Sequence, residues 1–330
     1  MKKKINYFLN NKIDCNTKKY SLIIGLSPST GARSPQLWNK VYRKLKVNCK
    51  MYPADVSERN LSHVISVIKK DNSFVGSAVT MPYKEKIIKY LDKIDPNCKK
   101  IGSINTILKK GNNLIGFNTD YLACKKSLNK FKRKHNVLVL GAGGVGKSAI
   151  ISVIENFKNQ KIFVYNRNYK KLLNFTSKLK NKNIKNLENS NSIFNLPKVD
   201  LIVNATSVGF NLWQKNNKGY FNLSCFSPIG NIDKLYTVKS KNLNFFLKKN
   251  KNIQKKNLLL TKKFFKKNKK CQVFDIIYDP RKTILIKVAN KFTNNNLNGL
   301  DMNLEQAVFA FSIVNQFKNK KLIKKIMAKK

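Results

Sequence analysis

A glycine-rich stretch near the middle of the chain has the residue types and spacing to bind phosphate, and it fits two different chemistries. Gly141, Gly143 and Gly146 form the G-x-G-x-x-G pattern of a turn that binds the pyrophosphate of a dinucleotide. The same segment, with Lys147 and Ser148, also forms the G-x-x-x-x-G-K-S pattern of a P-loop. Because both patterns place phosphate at the N-terminus of a helix, the choice between hydride transfer and phosphoryl transfer depends on residues elsewhere.

Residues downstream of the glycines favour the dinucleotide. A P-loop enzyme holds Mg²⁺ with an aspartate that follows a strand, but the nearest candidate, Asp200, begins its strand and points to the opposite end of the sheet. In a dinucleotide turn, the residue about 20 positions after the glycines reads the adenosine ribose. That position holds Asn166 and Arg167, followed by Lys170 and Lys171, with no carboxylate nearby. Since a guanidinium holds a 2′-phosphate that a carboxylate would repel, the sequence favours NADP over NAD.

A lysine and an aspartate before the glycines are the candidates for proton transfer. Reduction of a carbonyl by hydride needs a proton donor, and a lysine or histidine held near a carboxylate suits that role. Histidines are scarce, with only His63 and His135 present. Lys84 lies in T-M-P-Y-K, which predicts a tight turn from strand to helix, and Asp120 begins the segment that leads to the glycine strand. We therefore expect both side chains to face a cleft between the two halves of the chain, with Lys84 as acid and base.

Alternating strands and helices must position these residues, which predicts an α/β fold. Apolar runs bounded by glycine, proline and polar residues predict strands at 20–25, 74–80, 101–108, 113–117, 137–140, 162–165, 201–204 and 273–277. Helices are predicted after Ser34, taken as an N-cap before Pro35, at 61–69, from Lys84 onward, after the glycine turn, and at 302–317.

Composition limits the classes of partner. A net charge of +51 over 330 residues suggests a polyanion, but the cations are nearly all lysine and are spread along the chain, whereas specific recognition favours arginine. We therefore expect no specific nucleic-acid partner. No apolar run approaches the roughly 18 residues that cross a bilayer, and the start MKKKINYFLN lacks the apolar core of a signal peptide. We expect no membrane association, a cytoplasmic location and, because the six cysteines are scattered, no metal site.

A series of short motifs resembles the shikimate dehydrogenase family over about residues 20–210 and 273–317. Each motif is weak alone, but their order and spacing together are specific. The motifs are SP at 34–35, VTMPYK at 79–84, SINT at 103–106, NTD at 118–120, GAGG at 141–144, NR at 166–167, NATSVG at 204–209, DIIYDPRKT at 275–283 and GLDMNLEQA at 299–307.

The resemblance implies an NADP-dependent oxidoreductase that interconverts 3-dehydroshikimate and shikimate in aromatic amino-acid biosynthesis. It implies Lys84 and Asp120 as the catalytic pair and Ser34 as the ligand of the substrate carboxylate. Further substrate contacts are implied at Thr80, Asn105, Tyr278 and Gln306. Cofactor contacts are implied at Gly141, Ala142, Gly143, Gly144, Val145, Asn166, Arg167, Lys171, Thr206, Gly299 and Met302. The family includes monomers and dimers, so either a monomer or a homodimer is expected.

The implied organisation is two α/β domains with a cleft between them. Residues 1–119 form a substrate-binding and catalytic domain that begins with a loose extension at 1–18. Residues 120–300 form a Rossmann-type NADP-binding domain, and the helical segment 301–330 returns to the first domain. Residues 212–270, dense in lysine and asparagine, are expected to be a large insertion or a mobile excursion.

Two substitutions depart from the family pattern and leave alternatives open. Ala32 stands where the family usually has the first serine of S-x-S, so Ser29 or Thr30 would have to replace the missing hydroxyl. Otherwise the carboxylate is bound more weakly, or the ligand is quinate, another cyclic hydroxy acid or an amino analogue. Asp301 stands where the family usually has a glycine beside the nicotinamide. A third alternative, from another class, is a non-catalytic polyanion-binding protein on the same fold.

Overall fold

A computed structural model describes residues 4–132, 134–157, 159–230, 232 and 235–329, and these alternate strands and helices, which confirms the α/β class. The strands are β1 (Lys19–Gly25), β2 (Cys49–Asp55), β3 (Phe74–Val79), β4 (Lys93–Ile94), β5 (Thr106–Lys110), β6 (Asn113–Phe117), β7 (Asn136–Leu140), β8 (Lys161–Tyr165), β9 (Ile184–Leu187), β10 (Leu201–Asn204), β11 (Trp213–Asn216), β12 (Gly219–Asn222) and β13 (Gln272–Asp275). The α-helices are α1 (Ser34–Lys44), α2 (Leu61–Lys70), α3 (Pro96–Ile101), α4 (Thr119–Leu128), α5 (Gly144–Asn156), α6 (Tyr169–Thr176), α7 (Leu243–Lys249), α8 (Lys251–Lys267), α9 (Ile284–Ala289), α10 (Leu300–Val314) and α11 (Lys320–Ala328). Within the described ranges, no helix has the length and apolarity that a bilayer crossing requires.

The chain divides into two compact units. The first consists of Met1–Ala123 and Asn303–Lys330, and the second of Cys124–Met302. The chain therefore passes from one unit to the other within α4 and returns within α10, a few residues beyond the boundaries expected at 119/120 and 300/301.

The first unit is built on a mixed six-stranded sheet in the order β2-β1-β3-β5-β6-β4. Strands β1, β2 and β3 are parallel, and the register pairs Gly25 with Asp55 and Ile24 with Val79. The carboxyl ends of these three strands therefore lie at one edge, the usual place for ligand sites in an open α/β sheet. One face packs on α2, and the other packs on α1, α10 and α11, where Trp38 and Phe311 meet edge to face at 5.3 Å.

The N-terminal segment is not a loose extension over its described part, contrary to prediction. Lys4–Phe8 is a 3₁₀ helix, and Ile5 and Ile13 are buried in the core beside α2. Asn6 clamps the segment, because its side chain accepts from the Ile13 N–H and donates to the Ile13 carbonyl, each at 2.9 Å. The polar composition of the segment hides two well-spaced isoleucines, whose burial offsets the entropy of ordering the chain.

The outer edge of β2 is covered by asparagine side chains. Asn39 donates to the Met51 carbonyl at 3.0 Å and accepts from its N–H at 2.8 Å. Asn11 donates to the Pro53 carbonyl at 3.0 Å and accepts from the Asp55 N–H at 2.7 Å. Backbone groups that an edge strand leaves unpaired are thus satisfied within the chain.

The second unit contains a five-stranded parallel sheet in the order β13-β10-β7-β8-β9, the arrangement of a Rossmann-type domain. The pairings place Leu140, Tyr165, Asn204 and Asp275 at the carboxyl edge of the sheet. Strands β7 and β8, with α5 between them, form the βαβ unit predicted around the glycines.

Residues 212–270 form ordered structure, so the prediction of a mobile excursion is wrong for the described residues. A hairpin of β11 and β12 is followed by α7 and α8. Phe246 packs in a cluster with Phe226 and Val238, while Phe264 and Phe265 of α8 join the core of the sheet. The lysines of α8 lie mostly on its exposed side, and their number conceals the apolar face in the sequence.

Several predicted element ends differ from the structure. Arg33, rather than Ser34, is the N-cap of α1, and Ser34 is its first residue. No α-helix begins at Lys84, because a 3₁₀ helix at Lys86–Tyr90 follows the turn. The strand predicted at 101–108 begins at Thr106, since α3 starts at an Asp-Pro cap and ends at left-handed Gly102.

Candidate active site

Lys84 lies at the carboxyl edge of the first sheet, where backbone hydrogen bonds and the buried side chain of Tyr83 fix its position. Tyr83 is fully buried, and its hydroxyl donates to the Val56 carbonyl at 2.6 Å. The Tyr83 N–H donates to the Thr80 carbonyl at 3.0 Å, and the Lys84 carbonyl accepts from Ile104 at 2.7 Å. The turn after β3 therefore fixes the starting point of the Lys84 side chain.

The ammonium of Lys84 forms an ion pair with Asp120. Nζ lies 2.7 Å from Oδ2, and the two side chains are only 15% and 8% exposed. Asp120 is in the first turn of α4, where the helix dipole stabilises a carboxylate. A little-exposed ammonium oriented by a carboxylate can give a proton to a carbonyl oxygen and take it back from a hydroxyl.

Asn105 organises the buried polar groups next to this pair. Its Oδ1 accepts from the Thr119 N–H at 2.7 Å and from the Thr106 hydroxyl at 3.1 Å. Its Nδ2 donates to the Thr119 hydroxyl at 2.9 Å and to Gln306 Oε1 at 3.4 Å. Because Thr119 begins α4, the amide of Asn105 also sets the position of the turn that carries Asp120.

The loop between β1 and α1 carries Ser34, which is 7% exposed as the first residue of α1. The two hydroxyls considered as replacements for the one missing at Ala32 are both bonded within the loop and its surroundings. Ser29 Oγ donates to Asp55 Oδ2 at 2.5 Å, and Thr30 Oγ1 donates to the Ser27 carbonyl at 2.8 Å. Neither hydroxyl is therefore available without breaking an existing bond.

Thr80 approaches the β1 end of this loop closely. Its N–H donates to the Ile24 carbonyl at 2.8 Å. A Cβ atom added to Gly25 would lie 2.4 Å from Thr80 Cγ2, so only glycine permits this approach.

In the second unit, the glycine turn has the geometry of a phosphate cradle. Gly141 has φ +98°, and a Cβ at Gly146 would lie 2.2 Å from the Gly141 carbonyl oxygen. A Cβ at Gly143 would meet nothing within 4 Å, and Gly143 is the N-cap of α5. The first and third glycines therefore permit the tight turn and close packing, while the second leaves room for a ligand at the helix N-terminus.

Asn166 connects this turn to the loop after β8. Its Oδ1 accepts from the Ala142 N–H at 3.0 Å, and its Nδ2 donates to the Asn168 carbonyl at 2.8 Å. Asn168 caps α6 by accepting from the Lys171 N–H at 2.9 Å. Arg167 and Lys171 are exposed on this loop, and the sequence has no carboxylate between Glu155 and Glu188.

A buried carboxylate that sequence reasoning missed supports the loop after β10. Asp275 is fully buried and accepts from Asn204 Nδ2 at 2.9 Å and from the Thr283 hydroxyl at 2.6 Å. Asn204 Oδ1 in turn accepts from the Thr206 N–H at 3.0 Å and its hydroxyl at 2.7 Å. Burial raises the pKa of Asp275 to about 6, against the lowering effect of its hydrogen bonds. Both Asp275 and Asn204 begin motifs quoted above, but nothing in the spacing pairs them.

The remaining residues of the second unit that the sequence analysis named have the following surroundings. Tyr278 packs edge to face on Phe210 at 5.4 Å. A Cβ at Gly299 would lie 1.8 Å from the Ile276 carbonyl oxygen, so glycine is required there. Met302 is 3% exposed, and Asp301 forms a largely exposed ion pair with Lys130 at 2.6 Å.

The predicted residues thus fall into two groups. The first unit contains Lys84, Asp120, Ser34, Thr80, Asn105 and Gln306, and the second contains Tyr278 with the expected cofactor contacts.

Comparisons with known proteins agree over most of the chain. The family model described as the shikimate dehydrogenase substrate binding domain matches residues 24–107, and the model for shikimate / quinate 5-dehydrogenase matches residues 123–218. The shikimate dehydrogenase (NADP(+)) of Methanococcus vannielii is 30% identical over 311 residues, covering 90% of this chain and 93% of that protein. The enzyme of the same name from Methanosphaera stadtmanae is 30% identical over 304 residues, covering 89% and 91%. The crystal structure of shikimate dehydrogenase 1 from Peptoclostridium difficile aligns with a TM-score of 0.67 at 25% identity, covering 94% of this chain and 96% of that chain.

Proposed function

The chain belongs to the shikimate dehydrogenase family, and we propose that it catalyses the reversible, NADP-dependent reduction of 3-dehydroshikimate to shikimate, a step of aromatic amino-acid biosynthesis. The observation that carries the proposal is the ion pair of Lys84 and Asp120, which lies at the carboxyl edge of the first sheet. The relatives described above support it, since both are NADP(+) shikimate dehydrogenases by name.

The glycine turn and its surroundings fit NADP. The cradle at Gly141 to Gly146 has room at Gly143 for a pyrophosphate at the N-terminus of α5. Arg167 and Lys171 supply positive charge for a 2′-phosphate in a loop without carboxylates. Further proposed contacts are Thr206, which is held by Asn204, the close-packed Gly299, Asn166 and Met302. When bound, NADPH supplies the hydride and NADP⁺ takes it up.

Lys84 and Asp120 are proposed to move and orient the proton. Asp120 Oδ2 accepts one of the three ammonium donors at 2.7 Å and so directs the remaining donors. One of these would polarise the carbonyl oxygen of the substrate and transfer its proton as the hydroxyl forms. In the oxidative direction the neutral amine would take the proton back.

The hydroxyls and carboxylate of the substrate are assigned to the neighbouring polar groups. Ser34 is proposed to bind the carboxylate, Thr80 to bind a hydroxyl, and Tyr278 to be a further substrate contact. Asn105 and Gln306 are proposed to bind hydroxyls. Their mutual bond is long at 3.4 Å, so a ligand hydroxyl can replace it at little cost.

Steady-state assays test the proposal. NADPH oxidation should be rapid with 3-dehydroshikimate and slow with 3-dehydroquinate, and shikimate oxidation should prefer NADP to NAD. Preferential turnover of 3-dehydroquinate would favour the quinate alternative. Absence of turnover with both substrates, together with nucleic-acid binding that survives moderate salt, would favour a polyanion-binding protein.

A further inference from the structure

The loop that leads to Ser34 is held from behind by a carboxylate. Asp55, at the carboxyl end of β2, accepts the Ser29 N–H on Oδ1 at 2.9 Å and the Ser29 hydroxyl on Oδ2 at 2.5 Å. Asp55 is only 8% exposed, although Ser29 itself is exposed on the 3₁₀ turn Pro28–Thr30. Both donors of one residue thus converge on the two oxygens of one carboxylate, and an asparagine would lose the charge and could keep the contact with Ser29 Oγ only by donating to it.

The N-terminal segment fixes Asp55 from the other side. The Asp55 carbonyl accepts from the Asn10 N–H at 2.7 Å, and the Asp55 N–H donates to Asn11 Oδ1 at 2.7 Å. Residues 10 and 11 lie between the buried anchors Ile5 and Ile13. A continuous set of contacts therefore runs from the N-terminal segment through Asp55 to Ser29.

We propose that Asp55 is a positioning residue for substrate binding, which fixes the loop 27–33 so that Ser34 meets the substrate carboxylate, and that residues 4–13 set the position of Asp55. The inference rests on the proposed function, because Ser34 is a carboxylate ligand only there. Ala32 has no hydroxyl, and the hydroxyls of Ser29 and Thr30 are engaged. The loop therefore contributes to affinity mainly through its conformation, and loss of the Asp55 contacts raises the entropic cost of binding.

Kinetics of loop variants test this role. Ser29→Ala and Asp55→Asn should each raise KM for shikimate about tenfold, since each removes a hydrogen bond to a charged group. The kcat and KM for NADP should stay within about twofold, and the double variant should be no worse than the more affected single variant, because the residues act as a unit. Thr30→Val is the matched control, since its hydroxyl bonds to the Ser27 carbonyl rather than to Asp55, and its KM should be unchanged. An unchanged KM in Ser29→Ala, or an equal rise in Thr30→Val, would overturn the proposal.

Hydrogen exchange provides a readout that does not need turnover. Amide exchange of the loop peptide 26–33 should accelerate at least about tenfold in Asp55→Asn. It should also accelerate in Asn11→Ala, whereas Asn16→Ala, which changes an exposed bond to Asp14 just after residues 4–13, should have no effect. Denaturant unfolding of each variant separates local release of the loop from loss of the fold. If the wild-type protein fails to turn over shikimate, the proposed function fails, but exchange still decides the role of Asp55. Unchanged loop exchange in both Asp55→Asn and Asn11→Ala rejects that role.

Discussion

Asn204 Nδ2 donates to Asp275 Oδ1 at 2.9 Å, and both side chains are completely shielded from solvent at the ends of adjacent parallel strands. The oxygen of the same amide, Oδ1, accepts from both the N–H and the hydroxyl of Thr206. A buried carboxylate therefore determines the orientation of an amide that in turn holds the proposed cofactor loop. The cost of this arrangement is the burial of a carboxylate whose hydrogen bonds come from three uncharged groups, Asn204 Nδ2, the Ile277 N–H and the Thr283 hydroxyl.

The first prediction concerns the pH dependence of stability. Burial raises the pKa of Asp275 from 3.8 to about 6, so the folded state retains a proton that the unfolded state releases between these values. The contribution of Asp275 to stability is therefore present below about pH 4 and is lost as the pH rises through about 6. Urea unfolding across this range should show a fall of about 3 kcal/mol in the wild type relative to Asp275→Asn. The same pH dependence of the free energy of unfolding in both proteins would contradict a raised pKa of Asp275.

The second prediction concerns Lys84. Lys84→Ala should lower kcat by about 10²- to 10⁴-fold, because the proton donor is lost. Titration with NADP should show unchanged binding, since the expected cofactor contacts lie in the second unit. The matched control is Lys86→Ala, which removes a half-exposed lysine that pairs with Glu58 and should leave turnover intact. Near-normal turnover of Lys84→Ala would remove this residue from the mechanism.

The third prediction concerns the choice of cofactor. Arg167→Ala should raise KM for NADP by about tenfold or more and leave KM for NAD nearly unchanged, because a charge-assisted contact to the 2′-phosphate is worth about 1.5–3 kcal/mol. Lys161→Ala, at the opposite end of β8, is the control for loss of one positive charge. An equal effect of Arg167→Ala on both cofactors would show that the guanidinium does not read the 2′-phosphate.

The fourth prediction separates two glycines of the same turn. Gly146→Ala should lower the free energy of unfolding by about 1–3 kcal/mol, because its Cβ would overlap the Gly141 carbonyl oxygen. Gly143→Ala should leave stability nearly unchanged, because its Cβ would meet no protein atom within 4 Å, yet it should weaken NADP binding by occupying space for the pyrophosphate. Thermal unfolding with and without NADP measures both effects. Equal stability losses in the two variants would be inconsistent with this division of roles.

Apolar runs and short motifs in the sequence predicted many of the strands and the catalytic pair. Most of the contacts that they did not predict join residues far apart in the sequence. The buried run of β10 is uniformly apolar and ends in Asn204, so its bounds match the prediction. Motif order pairs Lys84 with Asp120, and their side chains lie 2.7 Å apart. By contrast, Asp275 and Asn204 are 71 residues apart and have no shared periodicity. Such contacts depend on which strands are adjacent in the sheet, so the partner of a carboxylate at a strand end can be identified only once the strand order is known.

Polar composition led to two wrong predictions, one for α8 and one for the N-terminal segment. The lysines of α8 suggested a mobile excursion, but Phe264 and Phe265 bury one side of that helix. The polar first residues suggested a loose extension, but Ile5 and Ile13 anchor them. In both cases a few apolar residues at suitable spacing are enough for docking, even where the average composition is polar.

The asparagines along β2 have a consequence for the protein at high concentration. Asn39 binds the outward N–H and C=O of Met51, and Asn11 binds the Pro53 carbonyl and the Asp55 N–H. A strand from a neighbouring molecule would have to displace these amides before it could extend the sheet. In a chain with many asparagines, side chains at these positions protect against intermolecular β-aggregation as well as stabilising the individual fold.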